Sequence, residues 1–588
     1  MKRFSALSLL LVFSFFAPLV SFLPGSPTTQ AQSKPNLLRG LKLAPGLRER
    51  ARQSAPGKSD TTRVIVNLAE GADPQQLSQA LAQSGAQSAK HLDELGLMIA
   101  DIPLGKLEDA AARNDVSWIS ADQEVRSLAT TPDNTSHLEI TTGASKFLPV
   151  DQNGVVGSGV ANGGAGSGVG MAILDSGITP SDAAEFVGYQ WQQSSGTLGL
   201  GLLSQKYVQS YDRIKKHIDF TGENRTDDYY GHGTHTAGVA AGTGQASENN
   251  AAKTPGSPTY GGIATGSNLV DVRVLNSQGV GTISNVIAGI NWVIKNKSTY
   301  NIRVMNLSLG TMVTQSYKTD PLCQAVGRAV DAGIVVVVAA GNWGKDSAGN
   351  TIYGGILSPA NSPRVITVGA TNTQQTDQRS DDTVTSYSSR GPTLVDGLAK
   401  PDLVAPGNRT GAAETADTSP STSNNYSTTG GGGLVGSLLS GSTSTNVPQA
   451  TGSYQILSGT SFAAPAVTGT VALILEANPS LTPSMVKAVL MRTAQRLPIY
   501  ENMGATWRMN KYERIVTEGA GALNTSAAIA VAKAIRQDAN KATVGSNLIT
   551  KKDTTYSNIG VTAPIAGEST PLNNGIVWVE GVAFTDKL

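Results

Sequence analysis

Four polar side chains stand where the pattern of the chain would bring them to strand or helix ends, and together they make the parts of an acyl-transfer site. Asp175 closes the apolar run Met171-Ala172-Ile173-Leu174 and is followed by Ser176-Gly177. A carboxylate at a buried strand end needs a partner to stay ionised, although an Asp before Ser-Gly is, taken alone, more often a turn residue. His232 lies in Gly231-His232-Gly233-Thr234-His235-Thr236-Ala237-Gly238, where glycines on both sides let other groups approach the ring. His235 follows at helical spacing, but no acidic or Cys ligand accompanies the two histidines, and His235 reads as a packed, hydrogen-bonded residue. Ser461 lies in Ser458-Gly459-Thr460-Ser461-Phe462-Ala463-Ala464-Pro465. A Ser before a helical pattern is ordinarily an N-cap. The same place turns Oγ outward over the positive end of the helix, and Pro465 marks the helix start. Asn342, in Ala339-Ala340-Gly341-Asn342-Trp343-Gly344, is a usual turn residue whose amide N–H can also be aimed at a developing oxyanion. Singly the bland readings hold. Jointly they lose, because one chain supplies acid, base, nucleophile and oxyanion donor for covalent catalysis by a serine. The G-x-S-x-G elbow of another hydrolase class is not matched, since Ala463 stands where its second Gly belongs.

Positioning these groups requires a scaffold, and residues 170–532 alternate strands and helices. Apolar strand runs fall at 171–174, 269–274, 304–309, 334–339 and 365–368. Helical patterns fall at 232–241, 283–295, 322–331, 462–476 and 483–493. Continuous apolar strands separated by helices imply a mostly parallel α/β sheet covered on both faces, with reactive groups at the carboxyl ends of the strands. Two inserts, 187–227 and 408–455, read as long surface loops, the second rich in Ser, Thr and Gly. The glycine-rich segment 154–170 has G-x-G spacings, but it precedes its strand rather than following it, so it reads as a loop and not a dinucleotide site.

Upstream, Lys2-Arg3, an apolar run over 9–23 and the small-residue site Thr29-Gln30-Ala31 read as a secretory signal peptide, 1–31. The run is short for a membrane span and Pro18 interrupts it, so no stable membrane insertion is expected after cleavage. Residues 32–59 read as a linker. Strand, helix and strand patterns over 60–128 read as a small α+β domain. Residues 129–535 form the main domain, and 536–588 are a polar tail with short β-like runs. The net charge of +1 gives no basic excess to hold a phosphate backbone, which excludes a nucleic-acid partner. A single cysteine, Cys323, forms no internal disulfide, so a large core must carry stability. No Cys/His cluster has zinc spacing.

The segments Ala172-Ile173-Leu174-Asp175-Ser176-Gly177, His232-Gly233-Thr234-His235, Ala340-Gly341-Asn342 and Gly459-Thr460-Ser461-Phe462-Ala463-Ala464-Pro465 resemble those of the subtilisin-like serine peptidases, in the same Asp, His, Ser order. The resemblance covers about residues 135–532. It implies a subtilisin-like three-layer α/β domain, peptide hydrolysis by Asp175, His232 and Ser461, and Asn342 as oxyanion donor. It further implies substrate-flanking backbone at Gly279-Val280-Gly281 and Ser308-Leu309-Gly310, a pocket wall at Ala339-Ala340-Gly341, and an inhibitory propeptide at 60–128. Polypeptides are then the substrates, and the chain's own propeptide is its inhibitor. No cofactor is needed for the chemistry, while structural calcium fits the family without ligands that the sequence names. Ala466 stands where the family commonly has His, Trp343 follows the oxyanion Asn, and the insert before Ser461 is long. An esterase with the same triad and a binding protein that keeps the fold are the alternatives. The second would show a substituted triad residue, and none is substituted.

Overall fold

The apolar runs become strands because Val, Ile and Leu buried on both faces suit a covered sheet. The computed structural model describes residues 42–53, 60–127, 138–144, 165–193, 206–245, 247, 259–416, 454–502, 511–543 and 548, together with four short strands beyond 561. The signal-peptide reading, residues 417–453 and most of the glycine-rich segment lie outside these residues.

The first unit is α+β. Helix α1 (Pro45–Gln53) precedes β1 (Thr61–Leu68), α2 (Pro74–Gln83), β2 (Gln87–Leu92), β3 (Leu97–Pro103), α3 (Leu107–Ala111) and β4 (Val116–Ala121), and the sheet order is β2-β3-β1-β4. Pro74 opens α2, and the Asp73 carboxylate accepts from the N–H groups of Gln75 and Gln76, satisfying donors that a helix start leaves orphaned. The expected linker is corrected here. Leu43 and Leu47 are buried in this unit's core and Ala51 packs on it, so part of 32–59 is a helix anchored by a four-residue apolar spacing hidden among Arg and Gln. The chain then leaves the unit as β5 (Glu124–Ser127).

The larger unit is built on β6 (Gly170–Asp175). Helix α4 (Leu138–Thr142) precedes it; β7 (Val187–Gln193), β8 (Lys206–Asp212), β9 (Ile214–Asp219), α5 (His232–Ala241), β10 (Asn268–Arg273), β11 (Val280–Thr282), α6 (Ile283–Asn296), β12 (Ile302–Leu307), β13 (Leu309–Gly310), α7 (Pro321–Asp331), β14 (Val335–Ala339), β15 (Ile366–Asn372), β16 (Thr383–Val384), β17 (Leu403–Pro406), β18 (Thr410–Ala413), β19 (Tyr454–Leu457), α8 (Thr460–Ala477) and α9 (Pro483–Thr493) follow. The central sheet runs β16-β15-β14-β12-β6-β10-β9, with β17 also on β15. All of its pairings are parallel except β15 with β16. Two core clusters cover its faces, one around α5 and α8, the other around α6 and α7. Helix α8 is the one described helix long and apolar enough to cross a membrane, and it is the buried centre of the first cluster.

Two expectations about the inserts are corrected. Residues 187–227 are not simply a loop: β7 and β8 form an antiparallel hairpin, and β9 is the edge strand of the central sheet, parallel to β10. Lys215, Lys216 and His217 interrupt the apolar pattern, which an edge strand tolerates. The ends of 408–455 pair as β18 and β19. In the tail the β-like runs form two hairpins, Thr562–Ile565 with Glu568–Pro571 and Val577–Val579 with Val582–Phe584.

Helix α5 is held at both ends. Buried Arg213 donates to the carbonyls of Glu185, Ala241 and Ser267 at 2.8–3.0 Å, placing a cation at the negative end of the helix. In the first turn, His235 Nε2 lies 3.1 Å from the carbonyls of both Thr410 and Gln455, and its ring meets Phe462 edge-on at 4.4 Å. The packed histidine expected from the sequence is therefore found. Burial drives its pKa down to about 3. An unfolded histidine takes a proton near pH 6.5 while the folded one stays neutral, so stability falls as pH drops from about 6.5 toward 3. The loss is on the order of several kcal/mol. Denaturant midpoints of Ser461→Ala protein should therefore decline through this window. His235→Gln should flatten that decline, and equal acid slopes in the two proteins would exclude His235 as its source.

Candidate active site

Strand β6 ends on Asp175 and α5 begins on His232, and the two meet. Asp175 Oδ1 stands 2.7 Å from His232 Nδ1, with the residues 1% and 0% exposed. The contact depends on missing side chains. A Cβ on Gly233 would sit 2.2 Å from the Gly177 carbonyl oxygen, and one on Gly177, whose φ is +127°, would sit 2.7 Å from the Asp227 carbonyl. Only glycines let the helix start lie against the turn after Asp175. Asp175 Oδ1 also accepts from Ser176 N at 2.8 Å, so the carboxylate is held by its own turn as well as by the imidazole.

Ser461 is in the first turn of α8, beside Phe462, whose ring lies 5.3 Å from that of His232. Its Oγ donates to the Ser308 carbonyl at 3.1 Å, and Ser308 Oγ donates back to the Ser461 carbonyl at 2.6 Å. Asn306 Nδ2 donates to Ser308 Oγ and Thr468 donates to Asn306 Oδ1, both at 2.9 Å. His232 Nε2 is buried and makes no hydrogen bond among the described residues. Asn342 Oδ1 accepts from Thr460 N at 3.1 Å and Thr460 Oγ1 at 2.9 Å. Its acceptor end is thus turned to the start of α8, which orients the amide.

The backbone segments singled out in the sequence flank a strand of the same chain. β5 pairs antiparallel with β11 through Arg126–Val280, Val125–Gly281 and Glu124–Thr282, and with β13 through Ser127–Leu309 and Arg126–Gly310. Val125 is fully buried in the cluster that includes Leu275, Ile283 and Leu309. The first unit is also tied down away from the cleft. The Asp122 carboxylate receives Ser284 N at 2.7 Å at the start of α6, and burial raises its pKa. Trp118 Nε1 donates to Gln315 at 2.9 Å, Glu94 N donates to Asn291 at 3.2 Å, and Asp93 pairs with Lys295 at 2.7 Å.

Ala340 and Gly341 lie beside β13, and Leu357 stands between. Leu357 N donates to the Ala340 carbonyl at 3.1 Å. A Cβ on Gly341 would be 2.9 Å from Leu357 Cγ, and one on Gly310 would be 3.1 Å from Leu357 Cβ. Sequence reasoning did not single out Asp228, which is 0% exposed and accepts hydrogen bonds from the turn after Asp175 and from the start of α5. Its only signal was its place four residues before His232, behind a second Asp.

The chain is 36% identical over 334 residues to the serine protease AprX of Bacillus subtilis (strain 168), across 55% of this chain and 61% of that protein. It is 31% identical over 418 residues to the extracellular serine proteinase of Thermus sp. (strain Rt41A), across 70% of this chain and 75% of that protein. The crystal structure of fervidolysin from Fervidobacterium pennivorans, a keratinolytic enzyme related to subtilisin, is similar in fold, with a TM-score of 0.51 and 18% identity, over 81% of this chain and 62% of that chain. The chain thus spans less than two thirds of AprX and of fervidolysin. Residues 166–543, more than half of the chain, match the model of the subtilase family, and the chain belongs to that family.

Proposed function

We propose that the chain is the precursor of a secreted serine endopeptidase, with residues 60–128 as its inhibitory propeptide. The observation that carries the reading is β5. A strand lying antiparallel between β11 and β13 is how a peptide substrate would be held, through its main chain. An esterase has no use for that device. Ser461 Oγ turns from the Ser308 carbonyl and attacks the scissile carbonyl carbon while His232 Nε2 takes its proton. Asp175 keeps the imidazole in the tautomer with Nδ1–H and stabilises its charged form. The tetrahedral oxyanion is met by the Asn342 amide and the Ser461 N–H at the positive end of α8. The C–N bond then breaks, His232 protonates the leaving amine, and water hydrolyses the acyl-enzyme by the same steps. No cofactor enters. For calcium no ligand set is assigned. Among the described residues no three His, Cys, Asp or Glu side chains share a site, and Asp219 and Glu223 both pair with Arg273.

The register puts Ser127 opposite Leu309, so self-cleavage is expected at residues 127–130. Casein digestion that stops on treatment with a serine-directed covalent inhibitor tests the activity. Ser461→Ala should lower the rate about a million-fold, the scale of nucleophile loss in triad enzymes, and should accumulate as uncut precursor in a host without other proteases. Normal maturation of that variant would rule out self-processing.

Asn342→Ala should reduce kcat by about 10² to 10³ with the fold intact. An unchanged kcat would make Asn342 a turn residue that merely braces Thr460.

Specificity follows from an apolar pocket. Ala339, Ala340 and Gly341 carry no charge, so a substrate Lys or Arg would lose hydration there without a counter-ion. Cleavage is therefore expected after apolar residues. Leu357 stands between Gly310 and Gly341 and is 5% exposed, which narrows the space for aromatic rings. Leu357→Gly should raise kcat/KM for peptides with Phe relative to Ala before the cut by about tenfold or more. Cleavage-site mapping dominated by Arg or Lys would contradict the apolar pocket.

A further inference from the structure

Asp175 and His232 come from different elements, the end of β6 and the start of α5, and something must hold those elements in register. We infer that Asp228 is the positioning residue of the Asp175–His232 pair, an inference that rests on the peptidase reading above. Its carboxylate is fully buried and receives four hydrogen bonds, two on each oxygen, one from the turn after Asp175 and three from the start of α5. Oδ1 accepts from Ser176 Oγ and from Gly231 N, both at 2.8 Å. Oδ2 accepts from Thr234 N and from Thr234 Oγ1, both at 2.7 Å. Ser176 follows Asp175 directly, while Gly231 and Thr234 bracket His232.

The two hydroxyls extend the clamp. Ser176 Oγ accepts from Gly233 N at 3.0 Å, and Thr234 Oγ1 accepts from Thr179 N at 2.9 Å. Asp228 N in turn donates to Thr179 Oγ1 at 2.9 Å. The turn 176–179 and the first turn of α5 are therefore stitched together around one carboxylate. Burial raises its pKa even against these donors, and no Lys or Arg neutralises it among its hydrogen-bond partners. A carboxylate is the side chain that suits the place, because all its acceptor positions are used. Asn has one acceptor oxygen. Whichever way its amide faces, the NH₂ group meets a backbone N–H, of Gly231 or of Thr234, that cannot turn away. The isosteric change should thus open the clamp without changing volume.

The test is a double-mutant cycle in which every variant is released from its precursor by an unrelated protease before assay. Asp228→Asn should lower kcat by about 10- to 100-fold, the scale of a misplacement on the order of 1 Å. KM should change little, because β11 and β13 hold the substrate from other elements, and the acid limb of the kcat/KM profile should move. In an Asp175→Ala background the same change should leave kcat within about twofold, since the pair it positions is gone. Should Asp228→Asn fail to fold, Ser176→Ala, which removes one donor and its relay, carries the same cycle with a smaller effect in the same direction. An equal fold-loss in both backgrounds, or a change in KM alone, would overturn the inference. Either of those outcomes beside a wild type that digests casein leaves the peptidase reading standing, whereas an inactive wild type removes the reading itself.

Discussion

A carboxylate and an imidazole buried together, 2.7 Å apart, form the contact that most constrains this molecule. Either group alone would be costly to withdraw from water; paired and hydrogen-bonded they can be held there. Meeting that requirement shapes the surroundings. The strand carrying Asp175 is an inner strand of a mostly parallel sheet, so its carboxyl end opens where helices start. The helix carrying His232 must touch the following turn without side chains between, hence Gly177 and Gly233. Helix α8 must bring Ser461 to the same edge, and it does so as a helix buried along nearly its whole length.

Much of this was legible in the sequence. Unbroken apolar runs gave the inner strands, because a strand covered on both faces needs no polar alternation. The four chemical groups were legible because strand and helix ends are where such a sheet presents them. What escaped was what burial or edge position disguises. The edge strand β9 carries Lys215, Lys216 and His217, and lost its apolar signature to solvent. Helix α1 contributes only Leu47 and Ala51 to its core, with Leu43 just before it, too few to stand out among basic residues. Asp228 carries no signal beyond its place four residues before His232, behind a second Asp. Nothing in a string of letters tells that it sinks to 0% exposure with hydrogen-bond donors on every side.

The two units are joined by different kinds of bond. Around the cleft the link is main chain to main chain, from β5 to β11 and β13. Away from it the link is side-chain chemistry: Asp122 at the start of α6, Asp93 with Lys295, Trp118 with Gln315. Backbone pairing is indifferent to sequence, while the side-chain contacts belong to this unit alone. A passing polypeptide can reproduce the first set but not the second. That difference would suit the inhibitor role proposed for the first unit.

Segments β11 and β13 are three and two residues long, and they accept a chain only from the side, as an extended ribbon between them. A polypeptide already paired within its own sheet or coiled in a helix has no free backbone to offer. Admission therefore depends less on which residues a protein contains than on how often a short stretch of it comes undone. Hydrogen-exchange protection in a target should then forecast its lifetime better than its sequence does, as cleavage draws on the transiently opened population. If the proposed peptidase reading holds, an enzyme built this way would spare sound proteins and remove frayed ones, and so read the stability of its neighbours.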